Sequence, residues 1–324
     1  MTLSHSFRGV AAALATSLLA AAFFSSAAQP SAPQQKTQAP GYYRVMVGDI
    51  EVTALNDGTA KMETGKILKG IKPEQLQKDL ARVFLKDPYD WSFNAFLINT
   101  GTKLVLVDTG AGSQMGATTG KLIANLKAAG YKPEQVDEIY ITHMHGDHIG
   151  GLTADGKRVF ANAVVRAAQA EGDYWLSKAK MDAAPADQKG GFKTAMAMVS
   201  PYVTAGKYKP FSGDMELVPG VHSMAAAGHT PGHTVYVVES KGEQLMLWGD
   251  LMHVAAVQFP DPSVTIGFDY DAEAAKASRA KVFADAAASG AMVGGAHLSF
   301  PALGHLRKAG ASYEFVPVNY STLQ

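Results

Sequence analysis

The sequence contains no cysteine, although the chain is 324 residues long. Without thiols it can form no disulfide and no lipid-anchored cysteine, and any bound metal ion must be held by nitrogen and oxygen ligands. A chain of this length does not need cross-links, because one large domain buries enough apolar surface to be stable. The lack of cysteine therefore restricts the chemistry of a metal site but not the stability of the fold.

The sequence also lacks an excess of charge, since 29 basic side chains balance 29 acidic ones and the isoelectric point is near 7.2. This balance gives no general attraction to nucleic acid or to an anionic membrane. No cluster of lysine or arginine accompanies the histidine-rich motif described below, which disfavours a highly charged phosphomonoester or nucleic-acid substrate. We therefore expect the function to lie in local groups of residues, with no nucleic-acid partner.

The apolar run near the N-terminus is short and covers residues 10–24. As a helix it would reach roughly 22 Å, less than the roughly 30 Å core of a bilayer, which argues against the alternative of a membrane anchor. Arg8 precedes the run and small residues follow it, as in a cleaved secretory signal peptide. We predict a signal peptide at 1–28, a flexible leader at 29–41 and one domain at 42–324. The mature protein would be periplasmic or secreted, with no membrane attachment.

The order of secondary-structure patterns indicates the fold class. Runs typical of β-strands occur at 50–55, 93–99, 104–108, 138–142, 216–218, 234–239, 244–248, 291–294 and 313–316. Helical patterns occur at 118–129, over most of 167–205, and at 272–288. Strands, helices, further strands and a final helix predict an α+β protein in which two sheets pack together with helices outside.

Four side chains able to bind metal fall within six residues, namely His143, His145, Asp147 and His148. In an extended segment His143 and His145 point to the same side, and a tight turn at Gly146 would bring the other two to the same place. A solvated polar loop is the weaker reading, because this pattern rarely occurs by chance. Imidazole and carboxylate suit zinc, iron and related ions, so the motif predicts one tetrahedral site or the start of two.

Three later residues offer further ligands at the ends of strand-like runs. His229 lies in a loop shaped by glycine and proline, Asp250 follows 244–248, and His297 follows 291–294. Each is weak evidence by itself, because a single histidine at a strand end is more often a hydrogen-bonded structural residue.

Together and in this order, the residues resemble the metal-binding motifs of the metallo-β-lactamase superfamily over about residues 43–318. The resemblance implies an αβ/βα four-layer sandwich of two mixed sheets with helices outside. It implies two metal sites, with Asp250 as the carboxylate that bridges them. The implied ligands are His143, His145 and His229 for one ion and Asp147, His148 and His297 for the other.

The same resemblance gives Asp108, in the run Val-Asp-Thr-Gly, the part of a buried aspartate that orients ligands, and it makes His233 a structural residue. True β-lactamases are a poor match. Their cysteine-ligated classes are excluded, and the remaining class lacks the bridging aspartate that Asp250 supplies.

Within the superfamily, three runs resemble the methyl parathion hydrolase-like enzymes: 228–240, 249–265 and 297–320. Those secreted enzymes cleave phosphotriesters and, in relatives, lactones or aryl esters. Trp175 and Phe192 fall where that group has aromatic pocket walls, whereas Met115 and His253 stand where it has phenylalanine and leucine. These four residues form the predicted substrate pocket, in which His253 either lines the wall or donates a proton to the leaving group.

The resemblance implies two divalent metal ions, with zinc expected and iron, cobalt or manganese as alternatives. A hydroxide between them would attack an uncharged phosphotriester, lactone or aryl ester. Asp250 and Asp147 are the predicted catalytic carboxylates, the first holding the metals and the second orienting the hydroxide. A lactonase, such as one for acyl-homoserine lactones, without phosphotriesterase activity stays open, as do a catalytically silent periplasmic metal-binding protein and a homodimer.

Overall fold

The computed structural model describes residues 1–2 and 32–323 of the chain. Residues 3–28 of the predicted signal peptide, which spans 1–28, lie outside the described residues. Residues 32–41 contain no helix or strand, and the first strand begins at Tyr42, where the domain is expected to begin. Over the described part of the chain, no helix has both the length and the apolar character needed to cross a bilayer.

The described residues form strands and helices in an alternating order. The strands are β1 (Tyr42–Val47), β2 (Ile50–Met62), β3 (Leu68–Lys69), β4 (Tyr89–Asn99), β5 (Leu104–Val107), β6 (Glu138–Tyr140), β7 (Thr153–Ala154), β8 (Lys157–Arg158), β9 (Val164–Arg166), β10 (Met215–Val218), β11 (Val221–Ala225), β12 (Thr234–Ser240), β13 (Glu243–Leu247), β14 (Thr265–Ile266), β15 (Met292–Gly294), β16 (Leu303–Ala309) and β17 (Ser312–Pro317). The α-helices are α1 (Thr64–Ile67), α2 (Pro73–Arg82), α3 (Leu122–Ala128), α4 (Gly146–Ile149), α5 (Gln169–Trp175), α6 (Lys178–Ala183), α7 (Lys189–Thr204), α8 (Ala255–Gln258) and α9 (Ala272–Ser289).

Two mixed sheets form the centre of the domain. The first has six strands in the order β1-β2-β4-β5-β6-β9, and the second has seven in the order β10-β11-β12-β13-β15-β16-β17. Strands β5, β6 and β9 run parallel to one another, as do β13 and β15, whereas the other neighbours are antiparallel. The chain completes the first sheet before it begins the second.

Alternate residues of the central strands face two different cores, because successive side chains of a strand point to opposite sides. In β4, Phe96 and Ile98 pack between the two sheets, whereas Ala95 and Leu97 pack against the outer helices. Helices α3, α5 and α7 cover the outer face of the first sheet, and α9 packs against the second sheet. The expected α+β fold, a four-layer αβ/βα sandwich, is confirmed.

The backbone around the histidine motif differs from the expected one in two places. The strand predicted at 138–142 ends at Tyr140, because the N–H of Thr142 donates to the side chain of Asp108 instead of to a neighbouring strand. Gly146, where a tight turn was expected, is instead the first residue of α4. Asp147 and His148 therefore lie on one helical turn. In this arrangement Thr142 and His148 both contact the side chain of Asp108.

A buried carboxylate fixes the loop that leads from β5 to α3. Asp57 is fully buried and accepts hydrogen bonds from the N–H groups of Ala111 at 2.9 Å, Gly120 at 3.1 Å and Leu122 at 2.9 Å. Burial raises the pKa of this carboxyl, although the backbone donors oppose the rise. The loop so fixed carries Met115, one of the predicted pocket residues.

Replacing Asp57 with alanine should lower the free energy of unfolding by about 3 kcal/mol or more, since each buried N–H left without an acceptor costs about 1–3 kcal/mol. Urea unfolding followed by circular dichroism measures this change. Asp49→Ala is the control, because Asp49 is exposed and its ion pair is with exposed Lys241 at 3.3 Å. Equal unfolding midpoints for Asp57→Ala and Asp49→Ala would contradict the role of Asp57.

Candidate metal centre

The predicted ligands lie just beyond strand ends, where the two sheets meet. His143 and His145 follow β6 of the first sheet, and Asp250 and His297 follow β13 and β15 of the second. His229 lies in the loop between β11 and β12, at the same end of the second sheet. Residues far apart in the chain are therefore brought together by the docking of the sheets.

One group of ligand atoms comes from three imidazoles and one carboxylate. Nδ1 of His145 lies 3.1 Å from Nε2 of His143 and 3.0 Å from Nε2 of His229. Oδ2 of Asp250 lies 3.5 Å from Nε2 of His143 and 3.3 Å from Nε2 of His229. These four atoms converge on one point that a metal ion could occupy.

The second group shares Asp250 with the first. Oδ1 of Asp250 lies 3.0 Å from Nε2 of His148 and 3.1 Å from Nε2 of His297. Oδ2 of Asp147 lies 3.5 Å from each of the same two nitrogens. The two oxygens of Asp250 therefore face different groups, as a bridging carboxylate requires.

The donor set and its spacing fit divalent cations. Tetrahedral zinc with bonds of about 2.0–2.1 Å separates neighbouring ligand atoms by about 3.3 Å, close to the distances found in both groups. Nε2 of His148 and Oδ1 of Asp250 are buried and have no well-aligned hydrogen bond with any described residue, although they lie 3.0 Å apart. Since buried polar atoms without partners are costly, cations between the ligands would account for them. Nitrogen and oxygen donors suit zinc as well as iron, cobalt or manganese.

The electrostatics favour a neutral His145 and an ionised Asp250. Burial and the neighbouring imidazole of His229 lower the pKa of His145 to about 3, so this ring is neutral at neutral pH. Burial would raise the pKa of the Asp250 carboxyl, but His148 above all holds it well below its usual range. Neutral imidazole and ionised carboxylate are the forms that bind cations. Burial lowers the pKa of His148, His229 and His297, but the nearby carboxylates outweigh it and raise the pKa of all three rings, so each would release a proton on binding a cation.

A cavity of about 550 Å³ opens onto both ligand groups. The residues predicted for the pocket all line it: Met115, Trp175, Phe192 and His253. Trp91, Phe93 and Tyr174 also line the cavity, and no sequence pattern assigned Trp91 or Phe93 to it. Within the described part of the chain, no lysine or arginine lines the cavity. The resulting space has mostly apolar walls, with the imidazole and carboxylate ligands at its floor.

The metallo-β-lactamase superfamily model matches residues 89–293, well over half of the chain. The chain belongs to the metallo-β-lactamase superfamily. The resemblance that the histidine and aspartate motifs indicated is thus confirmed at the level of the superfamily.

Known proteins of this superfamily include close structural neighbours of the chain. The hydrolase AbOPH has a TM-score of 0.84 and 35% identity, and the match covers 88% of this chain and 100% of AbOPH. AidC, a dizinc quorum-quenching lactonase solved with the product N-hexanoyl-L-homoserine, has a TM-score of 0.81 and 29% identity, with 87% and 99% covered.

Among curated relatives, an N-acyl homoserine lactonase of Bacillus cereus is 28% identical over 161 residues. The match covers 50% of this chain and 56% of that protein. The chain thus spans about half the length of the curated relatives it matches.

His253 is held by its neighbours, unlike a side chain that is free to donate a proton. It is buried, its Nε2 lies 3.0 Å from Oδ2 of Asp250, and its ring stacks on His297 with centroids 5.2 Å apart. The backbone N–H of His253 donates to the buried side chain of Gln258, which fixes the residue. A hydrogen at Nε2 engaged with Asp250 is not free for a leaving group, so the geometry favours the reading in which His253 lines the pocket.

Asp108 and His233 lie behind the ligands of this superfamily site. Asp108 accepts from the N–H of Thr142 at 2.8 Å and its hydroxyl at 2.7 Å, and lies 2.8 Å from Nδ1 of His148. Its φ of 61° is left-handed, a conformation that aspartate tolerates better than most residues. His233 accepts the N–H of Asp250 at its Nε2, at 3.1 Å. Both contacts suit residues that orient ligands without binding metal.

Glu171 joins the two histidine-bearing loops, and sequence analysis missed it. One of its oxygens accepts the N–H of Met144 at 2.7 Å, and the other accepts the hydroxyl of Thr230 and the N–H of Gly232, both at 2.8 Å. The side chain is fully buried, and burial raises its pKa. The surrounding sequence does not indicate this buried role, because a single glutamate within a helical run is ordinarily a surface residue.

Asp269 is a second buried carboxylate of the site that no sequence pattern indicated. Its Oδ1 lies 2.9 Å from Nδ1 of His229, and its Oδ2 accepts the N–H of Ile266 at 3.1 Å. It lies between two aromatic residues of a loop, without a motif of its own, so only the folded chain reveals its contact with a ligand.

Glu171→Gln should lower the free energy of unfolding, because an amide NH₂ would replace one of two oxygens that both accept hydrogen bonds. The expected loss is about 1–3 kcal/mol, the cost of leaving a buried donor unsatisfied. Urea unfolding of the metal-free proteins measures it. The control is Asp173→Asn, two residues along the same helix, where an exposed carboxylate accepts a hydrogen bond from the side chain of Gln169. A Glu171→Gln protein as stable as this control would refute the joining role.

Proposed function

We propose that this chain is an exported metal-dependent hydrolase with two metal ions that cleaves uncharged lactones and esters. The observation that carries the proposal is the carboxylate of Asp250. Its two oxygens face two separate ligand groups at the floor of a cavity with apolar walls. Export is inferred from the signal-peptide pattern at the N-terminus, and the mass of the mature protein recovered from the cell exterior or periplasm would test it.

The residues that would hold the two ions are divided between the groups. They are His143, His145 and His229 for one ion, Asp147, His148 and His297 for the other, and Asp250 for both. When bound, such ions activate water at neutral pH and polarise the oxygen of an ester or lactone. We expect zinc, with iron, cobalt or manganese as alternatives.

The protein's own residues would position the reactants. Asp250 keeps the two ligand groups at a fixed spacing, and Asp147, which lines the cavity, orients the attacking water. Asp108 holds the ring of His148 through its Nδ1, and His233 holds the backbone of Asp250. Orientation of this kind accelerates a reaction because the reacting groups need no further ordering.

The cavity supports an uncharged substrate. Trp175, Phe192 and Met115 offer apolar surface for an acyl or aryl group, whereas no basic side chain among the described lining residues would offset a negative charge. The lactonase relatives favour a lactone as the principal substrate. Phosphotriesters and aryl esters are a second candidate, favoured by the runs that resemble methyl parathion hydrolase-like enzymes.

Rates on a panel of substrates test the proposed reaction, with the metal content of each preparation measured. The panel holds an aliphatic lactone, an acyl-homoserine lactone, p-nitrophenyl butyrate, an aryl phosphotriester and p-nitrophenyl phosphate. We expect hydrolysis of the lactones and the aryl ester. The charged monoester should react at least about 100-fold more slowly than the butyrate, because the activated water must attack an anionic phosphoryl group and no basic side chain among the described lining residues offsets that charge.

Because the butyrate and the monoester differ in the reacting centre as well as in charge, the aryl phosphotriester is diethyl p-nitrophenyl phosphate, and its ratio to the monoester, which has the same leaving group and the same phosphoryl centre, reports the effect of charge. A protein that contains two ions per chain but hydrolyses no member of the panel would instead be the silent metal-binding protein. Hydrolysis of the monoester at the rate of the butyrate would contradict the assignment of an uncharged substrate.

Asp250→Ala should reduce both metal content and hydrolysis, because each ligand group loses one donor. We expect fewer than two ions per chain and a fall in kcat/KM of more than about 100-fold, since losses of outer contacts alone cost about 10–100-fold. Elemental analysis and initial rates measure the two effects. The control is Asp285→Ala on α9, which removes an exposed carboxylate paired with Lys281. An Asp250→Ala protein with two ions and full activity would refute the bridging role.

A further inference from the structure

The segment from Ile266 to Asp271 forms part of the mouth of the cavity. Phe268 and Tyr270 line the cavity and are 48% and 60% exposed, so they stand at its rim. Asp269 lies between them but points inward, with a side chain that is 1% exposed. One short segment therefore presents aromatic rings to the entrance and a carboxylate to the interior.

The carboxylate of Asp269 makes two contacts of different kinds. Oδ1 lies 2.9 Å from Nδ1 of His229, whose Nε2 belongs to the first ligand group. Oδ2 accepts the N–H of Ile266, within the rim segment itself. When Nδ1 of an imidazole donates its hydrogen to a carboxylate, the lone pair of Nε2 is left for a cation. Asp269 thus selects the tautomer of His229 that binds metal.

The backbone continues the connection between the rim and the ligand loop. The N–H of Tyr270 donates to the carbonyl of His229 at 3.0 Å, and the N–H of Asp271 donates to the carbonyl of Gly228 at 2.9 Å. Gly228 has a φ of 140°, and a Cβ there would lie 2.1 Å from the backbone N of Ala275. The ligand loop and the start of α9 are therefore in direct contact, with no room for a side chain between them.

We propose that Asp269 is a positioning residue that couples the first metal site to the mouth of the substrate cavity. It orients His229 for the cation and, through Ile266, holds the loop that carries Phe268 and Tyr270. A bound ion then fixes His229, which in turn fixes the rim. The inference rests on the proposed function for the presence of the ions, but it assigns to Asp269 a role that the metal ligands alone do not require.

Asp269→Asn tests the orientation of His229 with the full chain and zinc as the probe. If the asparagine amide donates to Nδ1, it stabilises the wrong tautomer of His229; if its oxygen faces His229, its NH₂ opposes the N–H of Ile266. We expect one of the two zinc ions to bind about 10–100-fold more weakly in competition with a chelator, and the other ion to be unaffected. Co²⁺ absorption spectra of the same proteins report the geometry of the weakened site.

Two further variants make the comparison specific. Asp271→Asn is the matched control, since Asp271 caps α9 by accepting the N–H groups of Glu273 and Ala274, and asparagine caps a helix equally well. It should bind both ions as the wild type does. Asp269→Glu keeps the charge with a longer side chain and should give an intermediate zinc affinity; it also serves as the test if Asp269→Asn does not fold.

Hydrogen exchange tests the coupling to the rim. Zinc should slow amide exchange at Ile266 and Tyr270 in the wild type and in Asp271→Asn, but not in Asp269→Asn. If Asp269 only stabilised the loop, its replacement would lower the stability of metal-free and zinc-loaded protein alike and leave zinc affinity unchanged. That result would overturn the proposal. Two zinc ions bound equally tightly by Asp269→Asn would overturn this inference alone, whereas a wild type that binds no zinc would overturn it together with the proposed function.

Discussion

Asp250 is only 3% exposed, and an ionised carboxylate so deeply buried is strongly unfavourable unless it is paired. Its pairing comes from imidazole nitrogens, among them those of His148 and His297, and in the proposed enzyme from two cations. The other buried groups of the site follow from this constraint. Asp108 and Asp269 hold the rings at the required angles, because an imidazole that rotates would leave the charge uncompensated.

The candidate ligands could be named from the sequence because local signals mark them individually and the resemblance to the superfamily motifs joins them into one set. Glycine, proline and strand-like alternation mark where chains turn, and histidine or aspartate at those turns is chemically conspicuous. His229, Asp250 and His297 each stand at such a point, and the fold brings all three to one place. The order of strands and helices predicts two packed sheets with helices outside, because few arrangements bury their apolar faces. The four-layer sandwich itself was implied by the resemblance to the superfamily.

The residues that support the site could not be predicted, because their partners are distant in the chain. Asp57 accepts the N–H of Leu122, so the helix expected at 118–129 begins only at that residue. The role of Glu171 depends on its hydrogen bonds to two loops. Trp91 lines the cavity although the sequence around it is typical of an ordinary strand. Sequence patterns report the local backbone, whereas these roles depend on tertiary contacts.

The division of the ligands between two sheets also bears on the order of folding. His143 and His148 belong to the part of the chain that builds the first sheet, whereas Asp250 and His297 follow strands of the second. Contacts between residues so far apart form late, because long loops must close before the contacts stabilise anything. Neither half of the chain contains the full set of donors for both ions. Because each ligand group takes donors from both parts of the chain, either ion would find its full set only after the sheets dock, and the ions would stabilise the docked sheets over any species in which only one sheet has formed.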